Sequence, residues 1–166
     1  RDSSSRERRH MDRKIGEGLH KILANVHQTV ISLYCPFRGE PNLFKWIHSI
    51  IGRGARVAFP VVIGKDQPLK FKIWQWGDKL KRGVWNIPVP VHGADVTPSV
   101  LIVPLVGFDD SLFRLGYGGG FFDRTLAAFQ VKPLTIGVGY EISHLNTIYP
   151  QLYDIPMDII VTEDRI

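Results

Sequence analysis

Apolar residues recur at helical spacing in some segments of the chain and as continuous runs in others. From about Arg9 the spacing predicts a helix, whose inner face carries Ile15, Leu19, Ile22, Leu23 and Val26. The β-branched, apolar run 29–35 predicts a buried strand. A second helix is expected from Pro41 to Gly52 or Gly54, because proline suits the first turn of a helix and glycine its end.

A strand at 55–63 completes a strand–helix–strand unit, whose short connections favour parallel strands. Later segments repeat this alternation. They predict strands at 68–76, 99–109, 134–140 and 158–163, a helix at 121–129 and an extended, proline-rich loop at 85–93. The pattern indicates an α/β fold, with one three-layer domain over 15–166 and a mostly parallel, Rossmann-like central sheet. A basic, partly flexible arm over 1–14 is expected to precede it.

Composition is typical of a soluble globular protein with one domain. The chain has 166 residues, 44% hydrophobic and 22% charged, and no apolar run reaches the roughly 20 residues of a membrane helix. Cys35 is the only cysteine, which excludes an internal disulfide and a cysteine-based zinc site. The histidines lack the spacing of a metal site. We expect a cytoplasmic monomer without a membrane partner.

Charge is concentrated at the start of the chain. The net charge is +5, and residues 1–14 hold six basic against three acidic side chains. Such an arm can bind nucleic acid or another polyanion, or it can be a solvated terminus. Elsewhere no basic patch is interleaved with aromatic residues, so the sequence disfavours nucleic acid as a partner.

The segment RLGYGGGFFDRTL, residues 114–126, has four glycines within five positions. It lies between a predicted strand and a predicted helix, where backbone N–H groups and the helix dipole can hold an anion. It does not match the dinucleotide motif, because Phe121 occupies the third glycine position, and it lacks the Gly-Lys-Ser/Thr of a P-loop. The segment is therefore another kind of phosphate loop or a tight turn. Arg114 favours phosphate, since a guanidinium can clamp its oxygens.

Individual side chains near these motifs allow two interpretations each. Asp123 either stabilises the start of its helix or binds Mg²⁺ beside a phosphate. Glu40 is a surface glutamate by its spacing alone. Trp85 is either a core residue or a stacking face for a flat heterocycle. Cys35 ends a buried strand, which favours a core residue over a nucleophile.

Several segments together resemble the 5-formyltetrahydrofolate cyclo-ligases, also called 5,10-methenyltetrahydrofolate synthetases. The most specific is VPLVGFDDSLFRLGYGGGFFDRTL. The similarity continues, in order, in LYCPFRGEPNL, GARVAFPVV, VWNIPVP and YDIPMDIIVTE. It covers about residues 15–163.

The resemblance implies an enzyme that uses ATP and Mg²⁺ to convert 5-formyltetrahydrofolate, which can be polyglutamylated, into 5,10-methenyltetrahydrofolate. In this family the formyl oxygen attacks the γ-phosphate, and N10 of the folate then closes the ring as phosphate leaves. Phosphoryl transfer depends on positioning and charge neutralisation, which agrees with the lack of a protein nucleophile motif. The alternative is a non-catalytic relative that binds folate or nucleotide.

The resemblance also assigns roles to residues. Arg114, with a catalytic role, and the loop residues Gly116, Tyr117, Gly118, Gly119, Gly120 and Phe121 would bind ATP. Asp123 and Asp154 would hold the metal. The folate would contact Glu40, Trp85, Tyr117, Phe121 and Phe122, of which Phe122 would also be catalytic. If the partner of Asp123 is a metal, Asp123→Ala should lower turnover with little loss of stability.

The chain departs from the family pattern at three places. Phe121 and Phe122 stand where the family usually has two tyrosines. Gly119 stands where some members have a lysine and others a glycine. The family begins with a basic helix whose lysine and arginine reach the nucleotide, and here Arg6, Arg8 or Arg9 are the candidates to replace them.

Overall fold

Helices and strands alternate along the chain in the predicted order. The computed structural model describes residues 5–166. Its helices are α1 (Ser5–Ile22), α2 (Phe44–Gly52) and α3 (Phe121–Ala128). Its strands are β1 (Val30–Ser32), β2 (Arg56–Val61), β3 (Lys70–Trp74), β4 (Leu80–Arg82), β5 (Pro88–Pro90), β6 (Val100–Pro104), β7 (Gly107–Phe108), β8 (Arg114–Leu115), β9 (Leu134–Val138) and β10 (Ile159–Val161). Short 3₁₀ turns occupy Val84–Asn86 and Glu141–Ser143.

Six strands form one central sheet in the order β10-β9-β6-β1-β2-β3. All neighbouring pairs are parallel except β2 and β3, which are antiparallel at one edge. The parallel pairing predicted for β1 and β2 is confirmed, with Ile31 opposite Val57. The α/β fold with a mostly parallel sheet is therefore also confirmed.

Two hydrophobic clusters cover the two faces of the sheet. Along β6, Val100 and Ile102 belong to one cluster, and Leu101 and Val103 to the other, as the alternation of side chains along a strand requires. The first cluster includes α1 and α2, and the second includes Leu126 of α3. The helices thus form the outer layers of the predicted three-layer domain.

The order of the strands reverses between β1 and β6. From β1 the chain moves to β2 on one side, and from β6 it moves to β9 and β10 on the other. In such sheets the loops after the two central strands diverge and leave a crevice, where ligands bind. The loops that follow β1 and β6 are therefore the expected walls of a site.

Some predicted boundaries were wrong. Helix α1 begins at Ser5 rather than at about Arg9, while residues 1–4 of the predicted arm lie outside the described residues. The proline-rich loop at 85–93 contains β5, which pairs with β4 in a two-stranded ribbon. Proline is tolerated there because a ribbon strand has one edge without a partner. The run 99–109 splits into β6 and β7, and β7 pairs with β8 in a hairpin.

Within residues 5–166, no helix has the length and apolar character that crossing a membrane requires.

Candidate active site

The glycine loop, residues 116–120, connects β8 to α3 at the crevice. Gly118 and Gly120 have φ of +83° and +62°, in the left-handed region that glycine adopts without strain. Gly120 precedes α3, and no side chain among residues 5–166 caps that end of the helix. The N–H groups of the first turn of α3 are thus left to other acceptors, which is the usual basis of anion binding at a helix start.

Arg114 and Asp123 form a buried ion pair at the two ends of this loop. Nη2 of Arg114 lies 3.0 Å from Oδ2 of Asp123, and the side chains are only 7% and 17% exposed. The other carboxylate oxygen accepts the N–H of Ile155 at 3.1 Å. The pair therefore ties the hairpin strand β8, the start of α3 and the segment before β10 together.

Two arginines lie against the two phenylalanines of the site. The Cζ atom of Arg114 is 5.4 Å from the ring centre of Phe122, and that of Arg124 is 5.1 Å from the ring centre of Phe121. Arg124 also donates to the carbonyl of Gly119 at 2.5 Å. The Nε atoms of both arginines are buried and have no acceptor within the described residues. An oxyanion that reached them would remove the cost of these unpaired donors.

Glu40 lies in the loop after β1 and is buried. Its carboxylate accepts the N–H of Phe37 at 2.8 Å, and its side chain belongs to a residue that is only 8% exposed. Burial raises the pKa of Glu40 to about 7, against the opposing effect of the Phe37 hydrogen bond. The surface position expected from spacing alone was wrong, and the carboxyl group can be charged or neutral near neutral pH.

Helix α1 holds the loop of Glu40 in place. Arg8 donates to the carbonyl of Gly39 at 3.0 Å. Asp12 accepts the N–H of Asn42 at 3.2 Å and the hydroxyl of Tyr140 at 2.6 Å. Tyr140 follows β9, so the loops after two parallel strands are joined through α1.

Trp85 lies at the tip of the β4–β5 ribbon, facing the glycine loop. Its ring is edge-on to that of Phe121, with ring centres 5.5 Å apart, and the residue is 57% exposed. Its φ of +53° is unusual for a residue with a side chain, and such strain is concentrated at functional sites. Trp85 is thus not a core residue. Of the two interpretations from the sequence, the one that remains is a stacking face for a flat heterocycle.

The loop after β1 touches the glycine loop directly. The rings of Phe37 and Tyr117 meet edge to face, with centres 5.6 Å apart. The contact lies between the two loops that border the crevice predicted from the strand order. The glycine loop and the loop that carries Glu40 are thus neighbours in the fold.

Comparison with known proteins identifies the family of this chain. Residues 1–163 match the model of the 5-formyltetrahydrofolate cyclo-ligase family. The chain belongs to the 5-formyltetrahydrofolate cyclo-ligase family. The 5-formyltetrahydrofolate cyclo-ligase of Escherichia coli (strain K12) is 39% identical over 143 residues, which cover 82% of this chain and 79% of that protein. The enzyme of the same name from Haemophilus influenzae is 32% identical over 148 residues, which cover 79% of this chain and 74% of that protein.

A solved structure of the family has the same fold. The NMR structure of Aquifex aeolicus 5,10-methenyltetrahydrofolate synthetase superposes with a TM-score of 0.84 at 29% identity, covering 99% of this chain and 84% of that one. The fold class inferred from the strand pattern is therefore that of a cyclo-ligase.

Asp123 and Asp154, the two residues predicted to hold a metal, lie in segments that a hydrogen bond joins. Asp154 directly precedes Ile155, whose N–H binds Asp123. One oxygen of Asp154 accepts the N–H of Gln151 at 2.7 Å. Across residues 5–166, no group of three or more potential metal-ligating side chains occurs. Two carboxylates fit Mg²⁺ that arrives with a nucleotide, because this ion takes its remaining ligands from phosphate and water.

Cys35 is a core residue, as the sequence favours. It is buried, and its thiol donates to the carbonyl of Pro88 with a sulfur–oxygen distance of 3.6 Å. Burial raises the pKa of Cys35 to about 11. The thiolate that a nucleophile needs is therefore suppressed at neutral pH.

Sequence reasoning missed several residues that shape the site. They are Phe37, Arg38, Asp12, Arg124 and Tyr140. Their contacts join positions far apart in the chain, such as Asp12 and Tyr140, which are separated by 128 positions. Only Tyr140 had a usable signal, because it follows a predicted parallel strand at the edge where ligands bind.

Gly119 leaves room for the ring of Phe121. A Cβ atom at Gly119 would lie 2.8 Å from Cδ2 of Phe121. We expect Gly119→Ala to lower the free energy of unfolding by about 1–3 kcal/mol, the usual cost of overpacking. In a Phe121→Ala background most of that loss should disappear, which denaturant unfolding of the four proteins can measure.

Gly52→Ala is the matched control, because a Cβ there meets no atom of the described part of the chain within 4 Å. Additive losses in the double variant would contradict the proposed coupling between Gly119 and Phe121.

Proposed function

We propose that this protein catalyses the ATP- and Mg²⁺-dependent cyclisation of 5-formyltetrahydrofolate to 5,10-methenyltetrahydrofolate. Family membership supports the folate cyclo-ligase activity. The observation that carries the finer proposal is the meeting of the glycine loop with Trp85 and with the loop of Glu40. A phosphate-binding backbone and groups suited to a flat, polar heterocycle thus border one crevice.

The nucleotide would be bound by the glycine loop and the start of α3. Arg114 would give its guanidinium to phosphate oxygens, and Asp123 and Asp154 would give carboxylate oxygens to the accompanying Mg²⁺. The ion pair of Arg114 and Asp123 supports this assignment. When the nucleotide binds, Arg114 could exchange Asp123 for a phosphate, and Asp123 could exchange Arg114 for Mg²⁺. Arg8, a candidate for nucleotide contact, instead bonds to Gly39 here.

The folate would lie on the other side of the crevice. Glu40 would bond to the pterin, and its pKa of about 7 allows the carboxyl group to donate or accept near neutral pH. Trp85 and Phe121 would pack against the flat rings, while Phe122 would border the formyl group. The chain would thereby orient the formyl oxygen towards the γ-phosphorus and exclude water.

The reaction needs no protein nucleophile. The formyl oxygen forms a bond to the γ-phosphorus as the bond to ADP breaks. N10 then adds to the activated formyl carbon and loses its proton to solvent, and the carbon–oxygen bond breaks to release phosphate. The role left to the protein is positioning and charge neutralisation.

A direct assay tests the proposal. The protein incubated with ATP, Mg²⁺ and 5-formyltetrahydrofolate should develop methenyl-folate absorbance, and a sample without protein should not. Arg114→Met should abolish most of the rate, while Arg56→Met should keep it, because Arg56 is exposed at the amino end of β2, away from the crevice.

Absence of absorbance above the control without protein would reject catalysis. Calorimetric titration then tests the alternative of a non-catalytic relative, which should bind folate or ATP without turnover.

A further inference from the structure

Arg38 occupies a turn that does not suit arginine. Residues 37–40 are closed by the N–H of Glu40 on the carbonyl of Phe37 at 3.2 Å. Both central residues have positive φ, +48° at Arg38 and +93° at Gly39. Turns with two such residues favour glycine, asparagine and aspartate, because a longer side chain is strained there. A residue kept in this conformation despite the strain suggests a role for its side chain.

The Arg38 side chain lies where the walls of the crevice meet. Its Cζ atom is 4.9 Å from the ring centre of Phe37 and 5.8 Å from that of Tyr117. The first ring belongs to the loop after β1 and the second to the glycine loop, which follows β8 in the long connection after β6. Arg38 therefore lies on the contact between the two loops that flank the reversal of strand order.

The guanidinium of Arg38 has no carboxylate partner within residues 5–166, and the residue is exposed. Contact with aromatic rings can orient a guanidinium without using its N–H donors. An oriented guanidinium with open donors suits an oxyanion such as a carboxylate or a phosphate.

We propose that Arg38 is a specificity-determining residue that binds an oxyanion of one of the two substrates. This rests on the proposed function, which brings two anions to the crevice: the phosphates of ATP and the glutamate carboxylates of the folate. Glu40 is two residues away and Tyr117 is part of the glycine loop, so Arg38 lies between the two proposed binding regions. Phe37 and Tyr117 are positioning residues for its guanidinium.

The substitution Arg38→Asn separates binding from structure. Asparagine suits the turn, so the melting temperature should stay the same or rise. The KM for one substrate should rise about tenfold or more, as expected for a lost hydrogen bond to a charged group. Arg38→Lys should retain part of the affinity, because it keeps the charge but not the planar fork. A purely structural role for Arg38 predicts a lower melting temperature and no selective change in KM.

The titrations identify the source of the anion. Calorimetry with ATP alone and with 5-formyltetrahydrofolate alone should show weaker binding to the Arg38→Asn protein for only one of them. Weaker ATP binding assigns a phosphate, and weaker folate binding assigns a carboxylate. Arg56→Met is the matched control, because it removes an exposed arginine at the amino end of β2, whereas the crevice lies at the carboxyl ends of the strands.

The outcomes for Arg38 and for the proposed function can be told apart. If the wild-type protein binds a substrate without turnover and Arg38→Asn weakens that binding, the proposed reaction fails and the role of Arg38 stands. Unchanged binding and unchanged KM for both substrates in Arg38→Asn would overturn the role of Arg38 while the reaction stands. A wild-type protein that binds neither substrate would overturn both.

Discussion

We expect Asp123→Ala to lower the free energy of unfolding by about 3–5 kcal/mol and to abolish most of the turnover. The substitution leaves the charge of Arg114 buried without its partner, and losing one member of a buried pair typically costs this much. It also removes the acceptor for the N–H of Ile155. Denaturant unfolding measures the first effect and the methenyl-folate assay the second.

The structure thereby corrects the expectation that this change leaves stability intact. That expectation assumed a metal as the partner of Asp123, whereas the described structure pairs it with a guanidinium 3.0 Å away. Asp95→Ala is the control, because its ion pairs with Lys70 and Lys72 are exposed and should contribute little. An Asp123→Ala protein as stable as the wild type would show that the pair with Arg114 does not hold in solution.

Relative to the wild type, Glu40→Gln should gain stability as the pH rises. The folded pKa of about 7 lies above the usual value of 4.5, so the folded state holds its proton more tightly than the unfolded state. Between about pH 4 and pH 8, Glu40 therefore lowers the stability of the wild type progressively, by about 3 kcal/mol in total. Glutamine does not titrate and should lack this dependence.

Unfolding of both proteins in denaturant at pH 4, 6 and 8 measures the effect. The free energy of unfolding of Glu40→Gln minus that of the wild type should increase by about 3 kcal/mol from pH 4 to pH 8. Turnover should fall in the same variant if the carboxyl group bonds to the pterin. A difference that is constant with pH would mean that Glu40 has an ordinary pKa in the fold.

Phe121 and Phe122 stand where the resemblance to the cyclo-ligases implies two tyrosines. In the structure each ring lies against an arginine, Arg124 or Arg114, whose Nε is buried and lacks an acceptor among residues 5–166. Phenylalanine can support a guanidinium with its ring face as tyrosine does. We therefore expect the absence of the two hydroxyls to leave the contacts of these arginines with the rings unchanged.

Local pattern predicted the elements better than it predicted their ends. The apolar run around β1 is seven residues long, yet the strand spans Val30–Ser32, with Leu33 still donating to the carbonyl of Ala58 in β2. Pairing depends on how far the neighbouring strands extend, and no local pattern records that length. The ribbon of β4 and β5 was missed for a different reason, because prolines weaken the strand signal while an edge strand tolerates them.

Sequence alone determined what depends on neighbouring residues. The glycine spacing, the helix that follows it and the alternation of strands and helices are local properties. They led to the α/β fold, to the resemblance to the cyclo-ligases and to the prediction of a phosphate loop. Tertiary structure alone decided which groups meet across the crevice. Packing buried Glu40 and raised its pKa, paired Arg114 with Asp123, and placed Arg38 beside the ring of Tyr117. These effects depend on desolvation and on distances between remote segments, which are set only when the loops after β1 and β6 take their places in the folded sheet.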